Sequence, residues 1–366
     1  MAYYVPERPY HPEQLPLDKL THIIFSFSKV IDGKMGFDNE EAGEKLRQLV
    51  AQKKDHPHLK VMLACGGWTA GGFSDMAATA EGRQAFVKST IAMIEDYHLD
   101  GIDIDWEYPA LDWAGIDARE KDTQTFTLLM KELREEMNKL KRPLVLTFAS
   151  AGWEYYYEKI ELNEVMKYAD YMNVMTYDQV TATLPFTAHH TALGWIKPED
   201  WAAQPIQQYV TERNAAAEAE GRPAFEPRSV KSIVDFCMKQ GVDPQQIVIG
   251  AAFYGRAWKG VPPENHGLYQ PNTGTFIGWS AYRDIREEYE SKNGYTRYWD
   301  EVAEAPYLYN PTDSIFFSYD DTTSVKLKTD YALEQDLGGI MFWELGNDTK
   351  EENSLVDAIY AEKQNQ

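Results

Sequence analysis

The sequence predicts an α/β fold: a (β/α)8 TIM barrel with an α+β insertion between strand 7 and strand 8. Two observations carry this. Eight short apolar runs alternate with longer stretches of helical period along the 366 residues. Between the seventh and eighth runs, the interval is far longer than a βα connection requires. Strand followed by helix is the pattern of a parallel sheet covered by helices. A count of eight favours the closed barrel over an open doubly wound sheet.

The runs are AYYV at 2–5, HIIFSF at 22–27, KVMLAC at 60–65, GIDIDW at 101–106, PLVLTFA at 143–149, YMNVMTY at 171–177, QIVIGAAF at 246–253 and GGIMFWEL at 338–345. They are short and rich in apolar or β-branched residues, as strands buried on both faces must be. Helical period marks 40–53, 81–97, 119–141, 229–240 and 324–336. The third of these is the clearest, with Phe126, Leu129, Met130, Leu133, Met137 and Leu140 on one face. The long interval, rich in Tyr, Gly and Trp, reads as an inserted α+β subdomain at 259–318. The barrel is then 1–258 and 319–366. A smaller elaboration, QVTATLPFTAHHTALGWIKPEDWAAQP, follows the sixth run.

Composition excludes several classes of function. A formal net charge of −22 argues against nonspecific binding to nucleic acid or an anionic membrane. No apolar run reaches the length that spans a bilayer. Cys65 and Cys237 are too few for a disulfide framework and read as buried thiols. No Cys/His cluster has zinc spacing, so neither metal nor cofactor is expected. His189 and His190 are read as neighbours on opposite faces of a strand, in structural or groove-lining roles. Aromatics reach 13%, including 10 Trp and 23 Tyr, enough to build stacking surfaces as well as a core. MAYYVP enters the first strand at once. A leader replaced by Met would leave the same trace, so the missing leader says little about location. The expectation is a secreted or extracellular protein with the signal peptide absent from this chain, with the cytoplasm as the alternative.

DGIDIDWEYP, at 100–109, sets four carboxylates into a buried strand. Side chains alternate along a strand, so Asp103, Asp105 and Glu107 share one face and Ile102, Ile104 and Trp106 the other. In a barrel the apolar set suits the layer under the helices. The acids then climb the lumen toward its C-terminal mouth, where barrel active sites sit, with Glu107 outermost. No basic residue lies within the motif, and only Lys60 and His98 lie nearby in sequence. Buried carboxylates without cations hold protons and have raised pKa values, as a general acid requires. A metal site is disfavoured because acids on one strand converge poorly on one ion.

The motif resembles the DxxDxDxE signature of glycoside hydrolase family 18, the chitinases, at all four acidic positions. YMNVMTYDQ, GAAFYGRAW, GGIMFWEL, THIIFSFS and ACGGW resemble other segments of that family, so the resemblance spans almost the whole chain. The insertion resembles the one that deepens the groove in chitinases of the bacterial A type. The resemblance implies retaining hydrolysis of β-1,4-linked N-acetylglucosamine, in which the substrate's acetamido group replaces the protein nucleophile. The implied substrate is chitin or chito-oligosaccharides, and the protein is expected to be a monomer.

The same resemblance implies roles for individual residues. Glu107 is the acid and base, Asp105 orients the acetamido N–H, and Asp103 shares a proton with Asp105. Asp100 braces the strand end. Tyr177 donates to the acetamido oxygen, while Asp178 and Met175 line the −1 site. Trp343 forms the floor under that sugar, with Phe27 near it. Tyr254 and Arg256 make polar contacts at −1 and −2, and Trp68 stacks at +1. One position departs from the pattern. Ala64 stands where the family has a Ser that, with Tyr3, supports the middle Asp, so Asp103 is expected to lack one donor. The insertion implies a deep groove and exo-type or processive action. Two alternatives share the fold. One is an endo-β-N-acetylglucosaminidase on N-glycans or a peptidoglycan-directed enzyme. The other is an inactive chitin-binding lectin, which would lose the acid that this chain keeps at Glu107.

Overall fold

A computed structural model describes residues 1–364. Eight parallel strands close a ring: β1 (Ala2–Tyr4), β2 (His22–Ile31), β3 (Lys60–Gly66), β4 (Gly101–Asp105), β5 (Val145–Ala151), β6 (Tyr171–Met175), β7 (Ile247–Ala252) and β8 (Gly339–Trp343). Each pairs with the next, and β1 closes the ring between β8 and β2. All eight stand where the apolar runs predict them, with shifted ends. β2 runs on to Ile31 and turns back into an antiparallel strand, Lys34–Gly36. The turn is Asp32-Gly33, both at positive φ, the pairing that a tight two-residue hairpin favours.

The predicted helices form at Glu40–Ala51, Ala80–Asp96, Asp122–Lys139, Val230–Lys239 and Thr322–Glu334. Asn39 caps the first by accepting from the Ala42 amide, and Thr79 caps the second by accepting from Gly82. In Asp122–Lys139 the residues from Phe126 to Met137 on the predicted face are buried, while Leu140 lies half-buried just beyond the end. Helices at Ile206–Ala219 and Leu355–Gln364 were not among those expected. No helix among the described residues is long and apolar enough to cross a membrane.

The chain divides into two compact units. The first comprises Met1–Val174, Cys237–Val248 and Gln335–Gly346, and carries most of the barrel strands. Its core is built from residues such as Ile24, Val61, Leu63, Ile102, Ile104 and Leu146, all without exposure. Such burial on both faces explains the continuous apolar reading of these strands.

The second comprises Met175–Phe236, Ile249–Glu334 and the chain from Asn347 onward. It holds a five-stranded antiparallel sheet made of Tyr254–Lys259, Gly274–Ala281, Thr296–Asp300, Ala305–Asn310 and Ile315–Ser318. Trp258, Phe316, Tyr307 and Tyr309 pack in its core together with Trp201 and Phe225. The buried Lys328 ammonium pairs with Asp320 at 2.6 Å and bonds Thr191 Oγ1 at 2.6 Å. Asp320 also accepts from the Ala252 amide at 2.9 Å, which ties the end of β7 to this network.

Candidate active site

In the first unit, β4 alternates as predicted. Ile102, Ile104 and Trp106 are buried against the helices, with Trp106 stacked on Phe73 at 5.3 Å and edge-on to Phe126 at 6.0 Å. The acids take the opposite face in graded burial: Asp103 is 0% exposed, Asp105 4% and Glu107 8%. Glu107 lies two residues past the strand end, one more than the predicted run to Trp106 implies.

Asp103 sits at the bottom of the ladder. Tyr3, from β1, donates its hydroxyl to Oδ2 at 2.9 Å. Thr147, from β5, donates to Oδ1 at 2.5 Å, and Asn173, from β6, donates to the same oxygen at 3.2 Å. A residue on β4 that reaches both β1 and β6 must point into the lumen. Ala64 is the ladder partner of Asp103 on β3 and has no hydroxyl to offer. Asp103 nevertheless takes three donors, so the expected shortage is met by Thr147 and Asn173. Burial raises the Asp103 carboxyl to about 6, against the lowering effect of Thr147, Tyr3 and Asn173. Asp105 is raised well above the usual carboxylate range by burial, then by the charges of Glu107 and Asp103, and its buried Oδ1 has no hydrogen-bond partner. Among the described residues no Lys, Arg or His pairs with either aspartate. Asp105 is therefore the better proton holder near neutral pH, while Asp103 titrates at about 6, and both lie beneath an outer carboxyl.

Asp100, below the ladder, braces the strand end. It accepts from Val61 N at 2.8 Å and from Lys53 Nζ at 2.6 and 2.8 Å. Lys53 is a cation that the local sequence did not single out.

The floor is aromatic. Trp343, at the end of β8, stacks on Phe27 at 5.5 Å and tilts against Tyr3 at 5.6 Å. Both Trp343 and Phe27 are half-buried, so each keeps an open face. Gly66 and Gly67 hold this corner together. A Cβ on Gly66 would lie 1.9 Å from the Asp105 carbonyl oxygen, and one on Gly67 would lie 2.9 Å from the Phe27 ring. Both glycines have positive φ, and the Gly67 amide donates to Asp105 O at 2.9 Å. The chain then delivers Trp68 to the surface, 59% exposed.

In the second unit, Asp178 gathers the other expected residues. Tyr254 donates its hydroxyl to Asp178 Oδ1 at 2.7 Å, and Arg256 reaches the same oxygen with Nε at 2.7 Å and a terminal nitrogen at 2.6 Å. His190 Nδ1 stands 3.7 Å away, beyond hydrogen-bond length. Burial pushes the Asp178 carboxyl up, but His190, Arg256 and Tyr254 outweigh it and hold the group at about 2. Burial lowers the His190 imidazole, which is therefore neutral at pH 7. Tyr177 is buried and meets Tyr254 edge-on at 6.0 Å, while Met175 is half-buried at the end of β6. His189 and His190 lie in a loop rather than the strand expected, yet they do diverge: His189 Nε2 pairs with Asp300 at 3.0 Å.

Thr147, Asn173 and His190 were missed as members of these clusters. Asn173 is a polar amide inside an otherwise apolar strand, and Thr147 is a hydroxyl between Leu146 and Phe148, signals that could have found them. Cys65 and Cys237 are free and buried.

Comparison with known proteins adds independent findings. The profile of "Glycosyl hydrolases family 18" matches residues 1–348. The chain is 36% identical to "Chitinase A1" of Niallia circulans over 85% of its own length, and spans 44% of that protein. It is 30% identical to "Chitinase B" of Serratia marcescens, covering 92% of this chain and 75% of that one. A solved family 18 N-acetylglucosaminidase from Paenibacillus barengoltzii superposes with a TM-score of 0.84 at 36% identity, covering 99% of this chain and 98% of that one.

Proposed function

The chain belongs to the glycosyl hydrolases of family 18, and from that premise we propose that it hydrolyses β-1,4 bonds between N-acetylglucosamine units with retention. The observation that carries the reading is the ladder of three acids, two of them buried without a cation and the third at the mouth. It supplies one proton donor and a proton store, and no separate carboxylate is needed as nucleophile if the substrate provides one.

Glu107 gives its proton to the glycosidic oxygen, and the C1–O bond breaks with its electron pair going to that oxygen. The acetamido carbonyl oxygen of the −1 sugar attacks C1 and closes an oxazolinium ring. Asp105 accepts the acetamido N–H and balances the positive charge, while Asp103 shares the proton that Asp105 releases. Glu107, now a carboxylate, takes a proton from water. The hydroxyl attacks C1, opens the ring and restores the original anomer. Trp343 and Phe27 offer aromatic faces to the C–H side of the sugar. Tyr177 is assigned the hydroxyl for the acetamido oxygen. Asp178, Met175, Tyr254 and Arg256 are assigned to the glycon-side contacts, and Trp68 to the +1 sugar.

The polymer is the partner and the protein acts as a monomer, outside the cell where such a polymer lies. Residues 259–318 are assigned as an inserted subdomain that favours long chains. A second reading is release of single N-acetylglucosamine units from a chain end. It is favoured by the likeness over nearly full length to the Paenibacillus barengoltzii N-acetylglucosaminidase. A product time course on the chitin hexamer tests both. Disaccharide or longer products in the first minutes support chitinase action, and monosaccharide from the start supports the second reading. Binding without product, or turnover that survives Glu107→Gln, would overturn the catalytic reading.

A further inference from the structure

We propose that Trp113, backed by Tyr155, is a binding platform for a sugar unit of the substrate on the leaving-group side of Glu107. The inference rests on the reading of the active site as a β-1,4-N-acetylglucosamine hydrolase.

Trp113 lies in the loop that follows Glu107 and is 46% exposed, although its neighbours Leu111 and Ala114 are buried and pin the loop. Its ring stacks on Tyr155 at 5.8 Å and 22°, and lies 5.5 Å from Trp153. Trp153 in turn meets Tyr108 edge-on at 5.4 Å, and Tyr108 is the residue next to Glu107. An unbroken aromatic chain thus runs from beside the proton donor to an open indole. The Lys159 ammonium lies over the Tyr155 ring at 4.7 Å and also lines a groove of about 630 Å3, with Ala110, Lys121 and Gln124. An aromatic face beside hydroxyl- and amide-binding groups is the chemistry that a pyranose with an acetamido group requires.

The platform is built rigidly. The buried Asp122 carboxylate accepts from Arg119 N at 2.7 Å and from Ser74 Oγ at 2.8 Å. Arg119 in turn donates to Ser74 Oγ at 2.7 Å and pairs with Asp75. This network ties the loop of Trp113 to the segment that follows Trp68, so the two exposed indoles keep a fixed spacing. Direction follows from the chain. Glu107, assigned to the leaving oxygen, opens the loop that carries Trp113. The same loop is tied through Asp122 and Ser74 to the segment that follows Trp68, the residue assigned to the +1 sugar, which puts the platform on the leaving-group side.

The test compares wild type with Trp113→Ala and Trp113→Phe on two substrates: fluorogenic mono- and disaccharide glycosides of N-acetylglucosamine, and the chitin hexamer. Trp113→Ala should raise KM for the hexamer about tenfold, the order of effect of losing one aromatic anchor. It should leave kcat/KM on the fluorogenic glycosides within about twofold, and Trp113→Phe should restore most of the hexamer affinity. Wild-type turnover of both substrates with unchanged hexamer kinetics in Trp113→Ala would overturn the platform alone. Equal losses on both substrates would also overturn it, by assigning Trp113 to the fold. Absence of wild-type turnover on every one of these substrates would overturn the hydrolase reading and the platform with it.

Discussion

Thr147 places its hydroxyl 2.5 Å from Asp103 Oδ1, and the same two residues are partners in the β4–β5 ladder. This contact is the shortest that Asp103 makes, and it favours the ionised carboxyl against the burial that raises it. Thr147→Val keeps the shape and removes the donor, so the Asp103 pKa should rise above about 6. The acid limb of the kcat–pH profile should move to higher pH, and kcat at pH 7 should fall about tenfold. KM should change less than about twofold, because the change lies below the sugar. Ala64→Ser, which adds a hydroxyl at the β3 ladder partner of Asp103, should move the limb the opposite way. Profiles that coincide with wild type for both variants would remove Asp103 from the proton chain.

The lumen acids make stability depend on pH in a defined direction. Burial raises the carboxyl of Asp103 to about 6 and that of Asp105 well above its ordinary value. The native protein therefore keeps protons that the unfolded chain has released by about pH 4. Stability contributed by these groups is fully present below about pH 4 and is lost as pH rises through about 6. Asp105→Asn carries no charge in either state. It should gain roughly 1–3 kcal/mol over wild type at pH 7 and nothing at pH 4, while kcat falls at least about a hundredfold. Urea melts at the two pH values check the sign, and a larger gain at pH 4 would contradict it.

The sequence made the ladder legible because a period of two places charge and oil on opposite faces without reference to anything distant. The same rule put Trp106 on the helix side, where it meets Phe73 and Phe126. It could not find the partners of Asp103. Thr147 and Asn173 are 44 and 70 residues away, and their contact depends on how the ring of strands closes. Lys53 was hidden from Asp100 for the same reason, 47 residues apart across a strand and two helices. Ala64 looked like a deficit only because the replacing donors lay on other strands. Trp68 and Tyr177 were legible from their motifs, yet each lies beyond the end of its strand, where alternation gives no direction.

Gly66 and Gly67 give a third prediction. In Gly67→Ala the new Cβ meets the Phe27 ring at 2.9 Å and sits on a backbone with φ +95. Phe27 stacks on Trp343, so moving its ring disturbs that pair. Stability should fall by roughly 1–3 kcal/mol, and KM should rise as the aromatic floor is displaced. Gly66→Ala is harsher, because its Cβ meets the Asp105 carbonyl at 1.9 Å and backbone cannot swing aside. That variant should lose at least about 3 kcal/mol or fail to accumulate as folded protein. Thermal melts of the two variants should rank in this order, and the reverse order would mean that β3 relaxes around Gly66.

Arg256 and Asp178 supply the last. Asp178 has φ +54, and its Oδ1 collects Tyr254, two nitrogens of Arg256 and the nearby His190. The carboxyl is held at about 2, because His190, Arg256 and Tyr254 outweigh its burial. A depressed carboxylate contributes stability above its unfolded value near pH 4, and that stability is lost as pH falls through about 2. Arg256→Ala removes the main cation and leaves a carboxylate facing Tyr254 and a neutral imidazole. The Asp178 side chain is 38% exposed, so solvent screens part of the loss, and the expected cost is roughly 1–2 kcal/mol at pH 7. Arg256→Lys should recover less than half of it, since an ammonium cannot present two nitrogens to one oxygen while a third holds the Gly278 carbonyl, as Arg256 does. Denaturation at pH 7 and at the lowest pH where the protein stays folded checks this. The gap between wild type and Arg256→Ala should narrow toward acid, and a gap that widens would mean that Arg256 acts through some other partner.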